Sequence, residues 1–549
     1  MKRKKIVALL LSITMIAAVT AGCGGQDNAA ADTAESATGS KSEENDISQD
    51  AGTPDDTGTA GDISLPLTED AVTLTIFMPT DSNFTSGDWN NSGFFKEMER
   101  RTGVHLEFQT PATGEERTAF NLMIASGELP DIICYSYLYP EGIDAAIDDG
   151  YYLDLTPYLD TYLTNYNAAR NTSESILRDT MTDSSRIGQM YMVLTEEQGP
   201  WAGLQIRQDW LDELELDVPV TYDDWEKVLT AFKEEKGAYA PMALSSYGYF
   251  IVGNELSAGF NASAGFMNQN GTVVYSPITD EWRQYLQTMH DWYQKGLINP
   301  DFMTASPYFV DMELVTSGTS GAWFSMYTMP SLYEQSAEGM NVAPVAVPVQ
   351  NEGDDAHLRV VNQTVKACIA IAADCEYPEI AMQYLDYLFT EEGSLLANYG
   401  TENESFVYDE EGNPVFTDKI LNNPEGLGYM QALVNDALPP EKLPNLYDWT
   451  RELATIPAKD QLSYDVWSST GEDWVMPASL ALTAEESRES AKIYADIETY
   501  FNECTAKFII GTLDVNGDDW DTYVKNIQGM NIERCVEIRQ DALNRYLAR

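Results

Sequence analysis

The chain is poor in the residues that most enzymes and metal sites depend on. Among 549 residues there are only three histidines, His105, His290 and His357, and none sits in an HExxH or similar arrangement. A histidine-based zinc site is therefore not expected. Cysteine is also scarce. Beyond Cys23 there are five, Cys134, Cys368, Cys375, Cys504 and Cys535. Five cannot all pair, and so few in a chain this long do not make a disulfide scaffold. Cys368 and Cys375 have no histidine nearby and read as small core residues. Positive charge is short as well, with 32 Lys and Arg against 88 Asp and Glu and a net charge of −56. Nucleic acid and anionic membrane surfaces would be repelled. There is no Gly-x-Ser-x-Gly, no phosphate-cradling glycine loop and no dinucleotide fingerprint. In so acidic a chain two carboxylates at glycosidase spacing arise by chance, so they do not argue for hydrolysis. Asp514-Val-Asn-Gly-Asp-Asp519 suggests a calcium loop only superficially: it lacks the alternating acids and terminal Glu of an EF-hand and reads as a turn. The expectation is a chain without catalytic residues, cofactor or metal.

What is present begins with Met1-Lys2-Arg3-Lys4-Lys5, an apolar run from Ile6 to Val19, and Thr20-Ala21-Gly22-Cys23. This is the order of an export signal, and the run of about 14 residues is short of the ~20 needed to span a bilayer. Residues 1–22 are expected to be a signal peptide. A cysteine directly after Ala-Gly resembles the lipobox of bacterial lipoproteins, with Cys23 diacylated as the new N-terminus, although Thr20 replaces the usual Leu or Val. From Gly24 to about Gly61 there is no aromatic residue, and small and acidic residues dominate. Such a segment buries too little surface to offset its ordering entropy. Residues 23–63 are thus expected to be a lipidated, disordered acidic tether.

The remaining stretch of about 480 residues is long enough for two domains in a chain that is 11% aromatic and 44% hydrophobic. Ala71 to Met78 reads as a strand, Phe94 to Glu99 as helical, Val104 to Phe108 as a second strand, Thr118 to Ser126 as a helix ending near Gly127, and Asp131 to Tyr135 as a buried third strand. This β-α-β-α-β order predicts a parallel sheet covered by helices, with ligand at the loops beyond the strand C-termini. Those loops are Asp81 to Asn91 and Ser136 to Glu141. A second unit starts near Leu204. Thr221 and Asp224 predict a capping box, with Trp225, Val228, Leu229 and Phe232 at helical spacing behind it. Gly321 to Met326 and Lys366 to Ala372 read as strands, Met329-Pro330 as a helix start, and Pro378 to Phe389 as an amphipathic helix.

The order of several short segments resembles family 1 of the extracellular solute-binding proteins, specifically the LipO-like lipoproteins of ABC importers. They are Glu99-Arg-Arg-Thr-Gly103-Val, Ala125-Ser-Gly-Glu-Leu-Pro-Asp131, Leu153-Asp-Leu-Thr-Pro-Tyr158, Ile206-Arg-Gln-Asp-Trp-Leu211, Val218-Pro-Val-Thr221, Lys295-Gly-Leu-Ile-Asn-Pro-Asp301, Tyr377-Pro-Glu379 and Glu391-Glu-Gly393. Trp520 to Val524, Gly529-Met and Ala542 to Tyr546 fit too. One departure stands at Tyr399-Gly400-Thr401-Glu402-Asn403-Glu404-Ser405-Phe406, where relatives carry a second glycine in place of Asn403 and a tyrosine in place of Phe406. The resemblance implies an α/β, type 2 periplasmic-binding-protein-like fold of two lobes with a ligand cleft between them. The lobes are expected at 64–200 with 360–445 and at 201–359 with 446–549. It further implies a monomeric receptor that captures a small solute outside the bacterial membrane and hands it to ABC permease subunits. Family and aromatic content point to an oligosaccharide. A peptide or cationic-solute receptor, a ligand sensor, and a lipid-anchored glycan hydrolase or lyase are the alternatives.

A sugar ring has an apolar face and a polar rim, so its binding pairs aromatic platforms with carboxylates, amides and arginine. The aromatic candidates are Trp89, Tyr137, Trp201, Tyr327, Trp467 and Trp474. The polar candidates are Asp81, Asn90, Glu141, Arg207, Glu402 and Asp473. Trp467-Ser-Ser-Thr-Gly-Glu-Asp-Trp474 is the most suggestive segment, two tryptophans flanking a short polar loop. Arg207 reads equally as an ion-pair partner of Asp209.

Overall fold

The computed structural model describes Gly61 and residues 63–194, 200–251, 253–359, 365–439 and 442–549. The signal segment, Cys23, the tether before Gly61 and the side chain of Cys368 lie outside the described residues. The chain folds as two units, one from residues 63–194 and 365–451, the other from 200–359 and 452–549.

Following the chain, the first unit opens with strands β1 (Val72–Phe77), β2 (Val104–Gln109), β3 (Ile132–Cys134) and β4 (Met190–Leu194). In β1, Val72, Leu74 and Ile76 are buried while Thr73 is exposed, the period of two that a pleated strand imposes. Helix Gly93–Thr102 connects β1 to β2 and buries Phe94, Phe95 and Met98; its N-terminus is capped by Ser92, whose hydroxyl accepts from the Phe94 N–H. Helix Glu116–Ser126 ends at Gly127, which takes the left-handed conformation at φ 70° that lets the chain turn. Pro130 then bars further helix, and Asp131 ties the start of β3 to β1: its Oδ2 accepts from the Thr75 N–H and hydroxyl, both at 2.7 Å.

The second unit contributes β5 (Ala202–Arg207), β6 (Ala240–Ala243), the hairpin β7 (Phe266–Gln269) and β8 (Thr272–Tyr275), β9 (Ser320–Met326) and β10 (Val342–Pro344). Thr221 and Asp224 close a reciprocal capping box on helix Tyr222–Lys236, which buries Trp225, Val228, Leu229 and Phe232. Helices Asp280–Gln294, Ala484–Ile510, Asp518–Gly529 and Ile532–Leu547 complete a core that includes Trp282, Tyr494, Phe501, Phe508 and Tyr523. The chain returns to the first unit through β11 (Val365–Ile371), the small hairpin β12 (Phe406–Tyr408) and β13 (Pro414–Phe416), and β14 (Leu446–Tyr447).

The six-stranded sheet of the first unit runs β14-β4-β11-β3-β1-β2. It is mixed and not wholly parallel: β1 pairs in parallel with β2 and β3, and β14 with β4, but β11 is antiparallel to both its neighbours. The four-stranded sheet of the second unit, β10-β5-β9-β6, repeats the device, with β5 antiparallel to β10 and β9. The reversed strand is in each case the one with which the chain enters the unit from the other. A strand arriving that way needs no right-handed helical crossover before it pairs, so antiparallel insertion is open to it.

Candidate functional site

In the first unit the C-terminal ends of β1 and β3 carry the loops singled out from the sequence. Asp81, half-buried after β1, accepts the Asn83 N–H on Oδ1 at 2.8 Å, and the Asp81 carbonyl accepts from Phe84 N at 3.1 Å. Phe84 stacks on Trp89 with ring centroids 4.0 Å apart, and Trp89 meets Phe95 edge-on at 6.0 Å. Trp89 is 1% exposed and belongs to the core, so its neighbours leave no ring face for a ligand. Asn90 sits half-buried in a short turn, its N–H donating to the Asp88 carboxylate. After β3, Tyr135 adopts φ 59°, which ends the strand at Cys134. Tyr137 is 55% exposed, with its ring 5.8 Å from that of Tyr135, and Glu141 is exposed beyond it. Beneath them Ser136 donates to Gln189 at 2.7 Å and Tyr152 donates to the Ser136 carbonyl at 2.9 Å.

Between these loops lies Lys442, which sequence reasoning missed. Its Nζ donates to the Thr80 carbonyl at 3.1 Å and the Tyr135 hydroxyl at 3.4 Å, and stands 3.9 Å from Asp81 Oδ2. Its own carbonyl accepts from Cys134 Sγ. The one signal available was the proline-dense run Leu438-Pro-Pro-Glu-Lys-Leu-Pro444, which excludes helix and strand and so marks a loop.

In the second unit Trp201, half-buried at the start of β5, heads an aromatic column. It meets Phe309 at 5.8 Å, Phe309 stacks on Phe324 at 5.6 Å, and Phe324 on Phe250 at 5.0 Å. Because β5 pairs antiparallel with β9, Tyr327 follows the end of β9 beside Trp201 and donates its N–H to the Trp201 carbonyl at 3.1 Å. Its ring lies 5.2 Å from that of Tyr464. Burial, with the negative charge of Glu452 adding to it, pushes the Tyr327 phenol up to about 12, so the group is a neutral hydrogen-bonding hydroxyl at physiological pH.

The two tryptophans of the suggestive loop have different fates. Trp467 is 4% exposed, lies against Gly203 and donates Nε1–H to the Leu204 carbonyl at 3.0 Å. Trp474 stays half-buried and stacks on the His357 ring at 4.5 Å and 16°, while His357 Nδ1 lies 2.8 Å from Asp473 Oδ1. Arg207 grips Asp209 with two bonds of 2.8 and 2.6 Å and covers the Trp210 ring at 4.3 Å, an internal ion pair.

Glu402 lies elsewhere. It lines a cavity of about 540 Å³ with Leu65, Pro66, Arg100, Arg101 and Tyr408. Arg100 and Arg101 end the helix that leads into β2, which puts this cavity at the N-terminal side of the parallel strands. A second cavity of about 580 Å³, lined by Asn299, Asp301, Asp311 and Glu313 among others, belongs to the second unit. Among the described residues no group of three His, Cys, Asp or Glu is placed to hold a metal ion, and no helix is long and apolar enough to cross a membrane. Asp514 and Asn516 form a side-chain-closed turn, with the Asn516 N–H donating to Asp514 Oδ1 at 2.9 Å.

Two α/β units, each with one reversed strand in its sheet and each built from two passes of the chain, define the two-lobed class of solute-binding protein. The chain belongs to the bacterial extracellular solute-binding protein family, whose profile matches residues 81–394. It is similar to Lipoprotein LipO of Bacillus subtilis, 26% identical over 369 residues that cover 64% of this chain and 70% of that one. It is also similar to the fructooligosaccharide ABC transporter substrate-binding protein FusA of Streptococcus pneumoniae, 22% identical over 526 residues, 88% of this chain and 92% of that one. A solved structure of an HMO-binding, ABC-transporter-associated solute-binding protein from Bifidobacterium longum infantis shares the fold with a TM-score of 0.69 at 18% identity, covering 87% of this chain and 99% of that one.

Proposed function

We propose that this protein is the substrate-binding lipoprotein of an ABC transporter, anchored through Cys23 outside the bacterial membrane, that captures an oligosaccharide and delivers it unchanged to a permease. The observation that carries the carbohydrate reading is the pairing of accessible aromatic rings with polar groups at strand ends. In the first unit the exposed Tyr137 ring lies 5.8 Å from that of Tyr135, whose hydroxyl accepts from Lys442; in the second Trp201 and Tyr327 adjoin, and Trp474 lies beside Asp473 and His357. Rings of this kind cover the apolar face of a sugar while the polar neighbours bond its hydroxyls. The names of FusA and of the Bifidobacterium protein, both tied to ABC transport of oligosaccharides, support the same reading. We propose the protein as a monomeric receptor and not an enzyme.

The test is a thermal-shift screen of the purified protein against oligosaccharides, peptides and polyamines, followed by mass analysis of each stabilising compound. A sugar at about 100-fold over its dissociation constant adds about 2.7 kcal/mol of stability and is recovered intact. Recovery of a cleaved sugar would instead establish a hydrolase or lyase, and stabilisation by peptides or polyamines alone would overturn the carbohydrate assignment.

A further inference from the structure

We propose that the cavity beside β6 in the second unit binds a primary ammonium that carries a neighbouring hydroxyl, the chemistry of an amino sugar or an amino alcohol. The edge of the sheet builds this cavity. Leu297 to Asn299 run alongside β6: the Met242 N–H donates to the Leu297 carbonyl at 2.8 Å and the Asn299 N–H to the Met242 carbonyl at 3.3 Å. Past Pro300 the chain loops out and returns as helix Met312–Thr316, and the Ser306 N–H closes the loop by donating to Asp311 Oδ1 at 3.2 Å. The space enclosed is about 580 Å³, within the about 300–1,000 Å³ of small-molecule sites. Its lining shares no residue with the rings proposed above to take the sugar.

The wall of the cavity is negative. Asp301, Asp311 and Glu313 line it, and the lining holds no Lys, Arg or His. None of the three carboxylates forms an ion pair among the described residues. In a chain with 88 acidic residues three acids meet often enough by chance, so the carboxylates alone do not make a site. Asn299, which also lines the cavity, points to a ligand. It is 1% exposed, and its Oδ1 is taken by the Leu244 N–H at 2.8 Å. Nδ2, the other end of the planar amide, is buried with no hydrogen-bond partner among the described residues. A buried donor without an acceptor is costly, and a ligand that brings one removes the cost. The lining therefore asks two things of one ligand: positive charge with several N–H groups for the carboxylates, and an oxygen to accept from Asn299. A primary ammonium supplies the first and an adjacent hydroxyl the second. A polyamine brings the charge without the acceptor. A bare metal ion does not fit, because among the described residues no three such acids are placed to hold one. Burial and the Asp301 carboxylate push the Tyr239 phenol up, which places its half-exposed ring beside Asp301, where an aromatic face attracts a cation.

The test is titration calorimetry of the purified protein with glucosamine and ethanolamine, each beside compounds that lack one element: glucose and N-acetylglucosamine lack the charge, ethylamine the hydroxyl. Glucosamine or ethanolamine should bind about tenfold or more tighter than these, with affinity falling as salt is raised. The tighter of the two assigns the site to an amino sugar or to a small amino alcohol. A double variant, Asp301→Asn with Glu313→Gln, alters two exposed positions; it should stay folded and lose the preference for the charged compounds. Asn299→Leu should bring ethanolamine down to the level of ethylamine. If circular dichroism shows that variant unfolded, the comparison of ethanolamine with ethylamine on the unaltered protein decides. Failure of both amines to bind, amines binding no tighter than their counterparts, or a preference that survives in the double variant would overturn the inference. Each of those results leaves the oligosaccharide reading standing, since the thermal-shift screen measures that separately.

Discussion

Gly203 and Trp467 are pressed together: a Cβ placed on Gly203 would lie 2.5 Å from Cδ2 and Cε2 of the indole. The contact, with the bond from Trp467 Nε1–H to the Leu204 carbonyl, draws the start of the 468–475 loop onto β5. Overpacking of this kind costs about 1–3 kcal/mol. Gly203→Ala should lower stability by that amount in urea unfolding, and an unchanged midpoint would show that the indole is free to move aside.

Arg207 and Asp209 behave as a buried pair, their side chains only 8% and 14% exposed. Removing one partner strands the other in a medium that solvates it poorly. Asp209→Ala is expected to cost about 3–5 kcal/mol in urea unfolding. Because the pair is internal to the second unit, solute affinity of the folded variant should be unchanged, as calorimetry would show.

Two carboxyls set opposite pH limits. Arg100 and Arg101 hold Glu97 down from its ordinary value of 4.5 to about 2, so the stability it contributes is present above about 4.5 and is lost as pH falls toward 2. Glu255 is fully buried, and its Oε2 has no hydrogen-bond partner among the described residues; burial pushes its carboxyl up from 4.5 to about 8. The folded state then binds a proton that the unfolded state has released, so stability declines as pH rises from about 4.5 to 8, by up to about 1.4 kcal/mol per unit. Melting temperatures taken across pH 3 to 9 should peak near 5, and Glu255→Gln should flatten the alkaline side only.

Tyr137 and Glu402 separate two parts of the first unit. Tyr137→Ala removes an exposed ring that packs on Tyr135, the residue whose hydroxyl accepts from Lys442, and it is expected to weaken sugar binding by about tenfold with little loss of stability. Glu402→Gln alters the cavity on the N-terminal side of the strands and should leave the same affinity unaltered. Calorimetry with the sugar identified by the thermal-shift screen measures both. Equal losses would mean that the strand C-terminal ends are not where the solute sits.

Much of the fold was legible because it is written locally. The capping box of Thr221 and Asp224, the apolar stripe from Trp225 to Phe232, and the stop formed by Gly127 and Pro130 each depend on neighbours within one or two turns. The alternation in Val72–Phe77 likewise needs only the pleat. The insertion of β11 between β3 and β4, running against both, was not legible, since it joins segments more than 170 residues apart and no local pattern encodes a strand's direction. The Arg207–Asp209 pair, two residues apart, could be foreseen as an alternative. The stacking of His357 on Trp474 and the position of Lys442 could not, because each is made by a partner from a distant part of the chain.

By itself the sequence determined the α/β class, the approximate bounds of the locally patterned elements such as Val72–Phe77 and Val104–Gln109, the acidic character and, through the order of its short segments, the family. Only the tertiary structure decided which candidates are buried and which stay accessible. Trp467 and Trp474 are alike in residue type and lie at the two ends of one loop, yet a missing Cβ at Gly203 admits the first to the core while the second remains partly open beside His357 and Asp473. Composition and periodicity report what a side chain favours on average. Its exposure depends on the shape of what folds against it, and that shape is set by contacts between residues far apart in the chain.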